Sequence, residues 1–140
     1  MVRQTTRYGI GITVPLSYDE AVARTREALA REGFGVLTEI DVRATMKKKL
    51  DVDFRPYIIL GACNPPIAHR ALSAERDIGL LLPCNVVVYA GDDEGTSVVA
   101  AMDPVEALQL TGRDDIREMA LDVRQRLERA LADVEQGAGR

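Results

Sequence analysis

Between Tyr8 and Val14 every second residue is apolar, and the residues between them are small or polar. This period of two is typical of a β-strand with one buried face. Ser17, with Glu20 three positions later, forms a capping-box pattern in which each side chain can accept a free backbone N–H at a helix start. A first helix is therefore predicted after the strand, and Gly33 is the residue expected to end it.

The next segment combines a strand pattern with a helical one. Phe34–Val42 is predicted as a second strand, with Val36, Ile40 and Val42 facing the core. From Arg43 to Asp53 the apolar residues recur at helical spacing around three consecutive lysines. This stretch is predicted to form a short helix or a mobile excursion.

Two apolar runs in the middle of the chain predict further strands. Tyr57–Cys63 is a continuous apolar run that fits a central strand, and Asn64 followed by proline is a helix-start signal. A short helix is expected to extend to about Ser73. Leu80–Ala90 is predicted as another strand, with Pro83 at its beginning, at an edge or at a bulge, because proline has no N–H for the sheet.

The last third contains a hairpin and the clearest helix of the chain. Turn residues at Gly91–Gly95 connect to a strand over Thr96–Met102, and Asp103 with Glu106 repeats the capping pattern. The apolar positions that follow recur with the i, i+3, i+4, i+7 spacing of a long amphipathic helix. They are Ile116, Met119, Ala120, Val123, Leu127, Ala130, Leu131 and Val134.

This order of elements predicts an α+β fold in which two main helices pack on one face of an antiparallel sheet. The expected order is β-α-β(4)-α with small helical insertions, since strands joined by hairpins do not build parallel units. Residues 1–136 are predicted to form one domain, and residues 137–140 a frayed tail. A chain of 140 residues is about one domain and is long enough for its own core.

The net charge and the hydrophobicity of the chain limit the classes of partner that are expected. The net charge of −4 and the pI near 5.1 disfavour nucleic acid as a partner, because the summed field repels phosphates. No apolar run approaches the roughly 20 residues of a membrane helix, and the first residues lack the apolar region of a signal peptide. We therefore predict a cytoplasmic protein without a membrane partner. In that reducing compartment two cysteines are expected to be free thiols, metal ligands or a transient redox pair.

Both cysteines occur in a Cys-Asn dipeptide beside proline at the border of an apolar run. Cys63 precedes a predicted helix start, where free N–H groups and the helix dipole favour a thiolate; the alternative is a small buried apolar residue. Asn64 is most simply explained as the cap of that helix. Cys84 lies in the second dipeptide, and if the two strands are neighbours the motifs meet. Asn85 has no such structural role and is expected to face solvent or to contact a ligand or a partner chain.

A metal site is a weaker hypothesis for the same region. Cys63, Cys84 and His69 supply three ligand types that suit zinc with an open fourth position, although no Cys-x-x-Cys spacing supports it. No other cofactor is expected, since glycine-rich phosphate loops and hydrolase motifs are absent from the sequence. The lysines at 47–49 could collect an anion, but a solvated face is the more common fate of such a run.

Four segments resemble the prokaryotic domain-of-unknown-function family 302. They are the residues at 33–42, Ile59–Pro65, Gly79–Val88 and Met102–Pro104. The resemblance implies an α+β fold similar to the TATA-binding-protein-like class, and a homodimer. It implies neither DNA binding nor any particular activity, because fold does not carry function.

Three hypotheses about function follow. The first is a small cytoplasmic homodimeric module that binds a small-molecule ligand in a pocket lined by Cys63, Asn64, Cys84 and Asn85. The second is a thiol-dependent redox or transfer enzyme that uses Cys63. The third is a structural or interaction protein, in which the two motifs only shape the core and the dimer contact.

Overall fold

The structure is a computed structural model that describes residues 1–138. Its strands are β1 (Arg3–Thr6), β2 (Gly9–Val14), β3 (Gly35–Asp41), β4 (Tyr57–Cys63), β5 (Cys84–Ala90) and β6 (Ser97–Met102). Its helices are α1 (Tyr18–Arg31), α2 (Val42–Leu50), α3 (Pro65–Ala74), α4 (Pro104–Leu108) and α5 (Asp114–Ala138). Short 3-10 segments occupy Arg76–Leu81 and Gln109–Thr111.

The six strands form one sheet in the order β1-β2-β6-β5-β4-β3, and every neighbouring pair is antiparallel. Helices α1 and α5 pack against each other and cover one face of the central strands. This confirms the predicted α+β fold with an antiparallel sheet. Among residues 1–138, the two long helices α1 and α5 lie on this one face, so the two faces of the sheet have different surroundings.

The alternation along β5 shows how the sheet separates its two faces. Cys84, Val86 and Val88 are buried under the helices, whereas Asn85 is exposed on the other side. Because successive side chains of a strand point to opposite faces, two adjacent residues of β5 belong to different surfaces. The helix-covered face and α5 together make the main core, which includes Leu60, Leu127 and Leu131.

Local capping explains where the predicted helices begin. Ser17 accepts a hydrogen bond from the Glu20 N–H at the start of α1, and Asn64 accepts one from the Ile67 N–H at the start of α3. Gly33 follows α1 with a φ of 84°, a left-handed conformation that glycine adopts without strain. These predicted boundaries are confirmed.

Strand β1 is a sixth strand that the sequence pattern does not predict. Its four residues, Arg-Gln-Thr-Thr, are all exposed, and it pairs only with β2 among the described residues. A polar edge strand has no apolar face to bury, so hydrophobic periodicity cannot reveal it.

The predicted inward face of the second strand is right for Val36, which packs against the main core, and wrong for Ile40 and Val42. β3 lies at the sheet edge, and Ile40 is 50% exposed instead of buried. Val42 is not a strand residue but the first residue of α2, since the Asp41 side chain accepts the Ala44 N–H and caps that helix. The helix considered for residues 43–53 is therefore real. Lys47 is exposed and pairs with Asp51 and Asp53, as expected of a solvated lysine run.

The strand predicted over Leu80–Ala90 begins later, at Cys84. Residues Arg76–Leu81 form a 3-10 segment, and the side chain of Leu80 is 87% exposed. Proline cannot donate to a strand neighbour, which is consistent with β5 starting just after Pro83.

The long helix α5 extends to Ala138, so Gly137 and Ala138 are helical. The rest of the predicted frayed tail, residues 139–140, lies outside the described residues. Within residues 1–138 no helix is long and apolar enough to cross a membrane.

Candidate functional site

A cavity of about 250 Å³ lies where β4 and β5 approach α3, the 3-10 segment and α5. Its walls are mainly apolar and come from all of these elements. They include Phe34, Leu37, Ile67, Leu72, Met119 and Val123. Three residues of the predicted site, Cys63, Asn64 and Cys84, also line it. The cavity therefore brings both cysteines to one surface.

Asn64 holds one polar side of this cavity. It is 9% exposed, and its Oδ1 accepts the Ile67 N–H at 3.3 Å as the cap of α3. A Cβ at position 33 would stand 3.1 Å from the Asn64 Nδ2 atom, so glycine there leaves the amide the space that it occupies. Asn64 thus has the structural role that the sequence predicts, and that role fixes its position at the cavity wall.

Both thiols are protonated in this environment at neutral pH. Cys84 is buried, and burial, with a smaller contribution from Cys63, raises the pKa of its thiol to about 11. Burial also raises the pKa of Cys63. This direction is opposite to the one expected from the helix start and favours the alternative interpretation of Cys63 as a small apolar residue, because removal of water disfavours the charged form.

The sheet register also bears on a redox pair. Cys84 lies opposite Ala62 of β4, while Cys63 lies opposite Gly35 of β3. Cys63 is therefore one residue beyond the β-sheet partner of Cys84, and both side chains line the same cavity, where Cys63 contributes to the raised pKa of Cys84. Neither cysteine forms a disulfide.

The three residues considered for zinc do not come together. His69 is exposed on α3, whereas Cys84 is buried. Within residues 1–138 no three His, Cys, Asp or Glu side chains are close enough to hold a metal ion. The helix that carries His69 presents its inner face to the cavity through Ile67, Ala68 and Ala71 instead.

Asn85 does not belong to this cavity, so the single pocket predicted for all four residues is wrong. It is exposed on the opposite face of the sheet and lines a separate groove there. The reason is the strand period of two, which turns Cys84 and Asn85 in opposite directions.

Most of the apolar wall is missed by reasoning from sequence. Leu37 belongs to an edge strand, Leu72 to α3 and Met119 to α5, and they meet only in three dimensions. Leu37 and Leu72 are large apolar residues that remain substantially exposed in the folded chain. This exposure is visible only in the structure, so no signal in the sequence identifies these two residues.

The fold and cavity define a small α+β protein with one antiparallel sheet and a mostly apolar chamber at one end of it. The chain belongs to the family described as domain of unknown function DUF302, whose model matches residues 10–134. A solved structure, titled as an uncharacterized conserved DUF302 protein from Bacillus stearothermophilus, is 31% identical to this chain, with a TM-score of 0.83. The match covers 92% of this chain and 99% of the other. No curated protein matches.

Proposed function

We propose that this protein binds a small, uncharged and largely apolar molecule in the cavity between the sheet and helices α3 and α5. The observation that carries the proposal is a chamber of about 250 Å³ whose wall is apolar except for one amide and two thiols. Binding sites for small molecules commonly combine an apolar wall with a few placed polar groups.

The volume sets the size of the ligand. An engineered apolar cavity of about 150 Å³ holds benzene, so a chamber of about 250 Å³ suits a ligand of roughly ten non-hydrogen atoms. A larger molecule fits only if part of it extends past the mouth, where Leu72 is partly exposed.

The charges around the cavity set the polarity of the ligand. The lining contributed by residues 1–138 includes no Asp, Glu, Lys, Arg or His side chain, and the two thiols have raised pKa values. A buried charge without a partner is costly, so the part of the ligand inside the chamber is neutral. The Asn64 amide is the group best placed to hydrogen-bond with it.

The raised pKa values favour binding over thiol chemistry. A thiol-dependent reaction needs a thiolate at neutral pH, and neither Cys63 nor Cys84 is placed to form one readily. The two thiols then act as small, polarisable parts of the wall. Their free state is the support for placing the protein in a reducing compartment such as the cytoplasm.

To test this proposal, a small residue of the cavity wall is replaced by a larger one that occupies part of the cavity. Ala68 is a half-buried residue of α3 that lines the chamber, and Ala68→Leu adds volume there. With 1-octanol as the probe, binding to the wild type raises the unfolding temperature, because it stabilises the folded state by RT ln(1 + L/Kd), where L is the free octanol concentration. We expect Ala68→Leu to weaken the apparent affinity by about tenfold or more.

Ala30→Leu is the matched control, since Ala30 is an exposed residue of α1 away from the chamber. The Ala30→Leu variant adds the same side-chain volume to a helix, and it is expected to bind 1-octanol as the wild type does. Equal binding by Ala68→Leu and the wild type, or no binding of 1-octanol by the wild type, contradicts the proposal.

A further inference from the structure

The open face of the sheet contains a second concave surface, which we call the tyrosine groove. It has a volume of about 570 Å³ and is separated from the helix-side cavity by the sheet itself. Its defining residues are Tyr8, Tyr57, Asn85, Val87, Tyr89 and Ala100. The groove falls within the usual size range of small-molecule sites, roughly 300–1,000 Å³.

The groove concentrates aromatic and neutral polar groups. Three of the four tyrosines of the chain line it, together with the Asn85 amide and the hydroxyls of threonines from β1 and β2. The lining residues within 1–138 include no ionisable acid or base of the Asp, Glu, His, Lys or Arg type. Burial raises the pKa of Tyr57, and nearby Tyr89 and Tyr8 add to the shift, so this phenol stays neutral at physiological pH.

The strands place these groups around a flat apolar floor. Val87 of β5 lies opposite Ala100 of β6, and Asn85 and Tyr89 flank Val87 on the same face. Asn85 and Tyr89 are four residues apart, about 13 Å along the strand. A ring laid on the floor therefore has an amide at one end and a phenol at the other.

Tyrosine and threonine side chains surround this floor. Tyr57 and Tyr89 are cross-strand partners whose rings meet edge to face, with centroids 5.1 Å apart and planes at 76°. At Gly9 of β2 a Cβ would stand 2.9 Å from the Thr6 hydroxyl oxygen, so the Thr6 side chain of β1 packs closely on this glycine. Tyr8 is 67% exposed and is close enough to Tyr57 to contribute to the shift of its pKa. A concave surface lined by apolar, aromatic and a few polar groups is typical of a small-molecule site.

We propose that the tyrosine groove binds an uncharged, planar ring compound that carries hydrogen-bonding substituents. The rings of Tyr57 and Tyr89 and the floor of Val87 and Ala100 contact the ring of the ligand. Asn85 and the hydroxyls bond to its substituents, because an amide offers both donors and an acceptor. Charged analogues are rejected, since the groove holds no opposite charge to compensate for lost hydration.

Benzamide, benzoate and benzylamine test this chemistry, because they share one ring and differ in charge. The tyrosines are labelled as 3-fluorotyrosine, which gives four ¹⁹F NMR signals, and Tyr18 on α1 is the internal control. We expect benzamide to shift the signals of Tyr8, Tyr57 and Tyr89 but not that of Tyr18. Benzoate and benzylamine are expected to bind at least about tenfold more weakly.

Two variants locate the binding. Ala100→Leu fills the floor and is expected to abolish the benzamide shifts, whereas Ala30→Leu on α1 is expected to leave them unchanged. Asn85→Asp affects an exposed residue and so does not threaten the core. It adds a negative charge, so benzylamine is expected to gain affinity at the expense of benzoate, a reversal that a purely structural role does not produce.

Benzoate or benzylamine binding as tightly as benzamide overturns the proposal, as does the absence of benzamide binding or its persistence in Ala100→Leu. Wild-type signals that move with protein concentration alone also overturn it, because they assign this face to a second copy of the chain. Binding in the helix-side cavity is measured separately with 1-octanol and Ala68→Leu. The proposal for that cavity and the proposal for the tyrosine groove can therefore fail independently.

Discussion

Cys84 couples the stability of the fold to pH. Its thiol is 7% exposed, and burial raises its pKa from an ordinary 9.0 to about 11. Below pH 9 the thiol is protonated in both the folded and the unfolded chain, so its contribution to stability is fully present there. Above pH 9 the unfolded chain loses the proton first, and the contribution is lost progressively as pH rises towards 11.

We therefore expect the free energy of unfolding to fall by about 2 kcal/mol between pH 8 and 11 through this residue. Urea unfolding of the wild type and of Cys84→Ala at several pH values isolates the effect, since the tyrosines titrate in both proteins. The difference in stability between them is expected to shrink across this window. A difference that is constant with pH contradicts the assignment.

Asn64 and Asn85 show why one polar residue is predictable and another is not. The role of Asn64 depends on neighbours three residues away in sequence, so Asn-Pro before an apolar run predicts the cap. The role of Asn85 depends on which face of β5 it occupies, and that is decided by pairing with β4 and β6. Hence the two copies of the Cys-Asn dipeptide place their asparagines on different surfaces, Asn64 at the helix-side cavity and Asn85 on the opposite face of the sheet.

At the scale of elements, the strand pair β3–β4 depends on the absence of a side chain at Gly61. Thr38 lies opposite Gly61, and a Cβ on Gly61 would clash with the Thr38 hydroxyl and stand 2.9 Å from Cγ of Pro83. Glycine at position 61 leaves room for Thr38 of β3 and for Pro83, which precedes β5, to pack against β4.

Gly61→Ala is accordingly expected to destabilise the protein by about 1–3 kcal/mol, as overpacking does. Urea unfolding measures the change. Removal of the clashing hydroxyl in the double variant Thr38→Ala/Gly61→Ala is expected to restore part of the loss, with Thr38→Ala alone as the reference. If Gly61→Ala is as stable as the wild type, the close packing at this position is refuted.

Elements with a strong local pattern are predictable, and those defined by their neighbours are not. Helix α5 and strand β4 bury continuous apolar stripes or runs, so the sequence indicates them directly. Strand β1 is polar throughout and exists because it pairs with β2. The exposure of Ile40 follows from the edge position of β3, which no single segment encodes.

At the scale of the whole molecule, the family resemblance implies a homodimer, which stays a prediction. A sheet edge is available for it: among the described residues β3 pairs only with β4, and Leu37 and Ile40 are largely exposed there. Unpaired edge strands are ready templates for pairing with another chain.

Light scattering after size-exclusion chromatography is expected to give twice the 15.3 kDa mass of one chain. Ile40→Lys, a charge on that edge, is expected to shift the population towards the monomer, whereas Val52→Lys, also at an exposed residue, is not. A mass of one chain for the wild type contradicts the dimer, and an unaffected dimer in Ile40→Lys contradicts the use of this edge.

The cavity itself lies beyond what the sequence can predict, because its wall joins β3, α3, the 3-10 segment and α5. Of the two Cys-Asn motifs, Cys63, Asn64 and Cys84 line the cavity, whereas Asn85 lies on the other face of the sheet. The volume and the neutrality of the chamber follow only from how the helices cross that end.

The alternation along β5 has a consequence for how this gene can vary. Substitutions on the two sides of the strand are largely independent, so the residues of one surface can change without altering the other. Insertion or deletion of one residue within β5 is a different matter, because a slip of one position turns every side chain to the other face. Such a change would expose Val86 and Val88 and drive Asn85 and Tyr89 under the helices. The length of this strand should therefore tolerate change far less than its composition does.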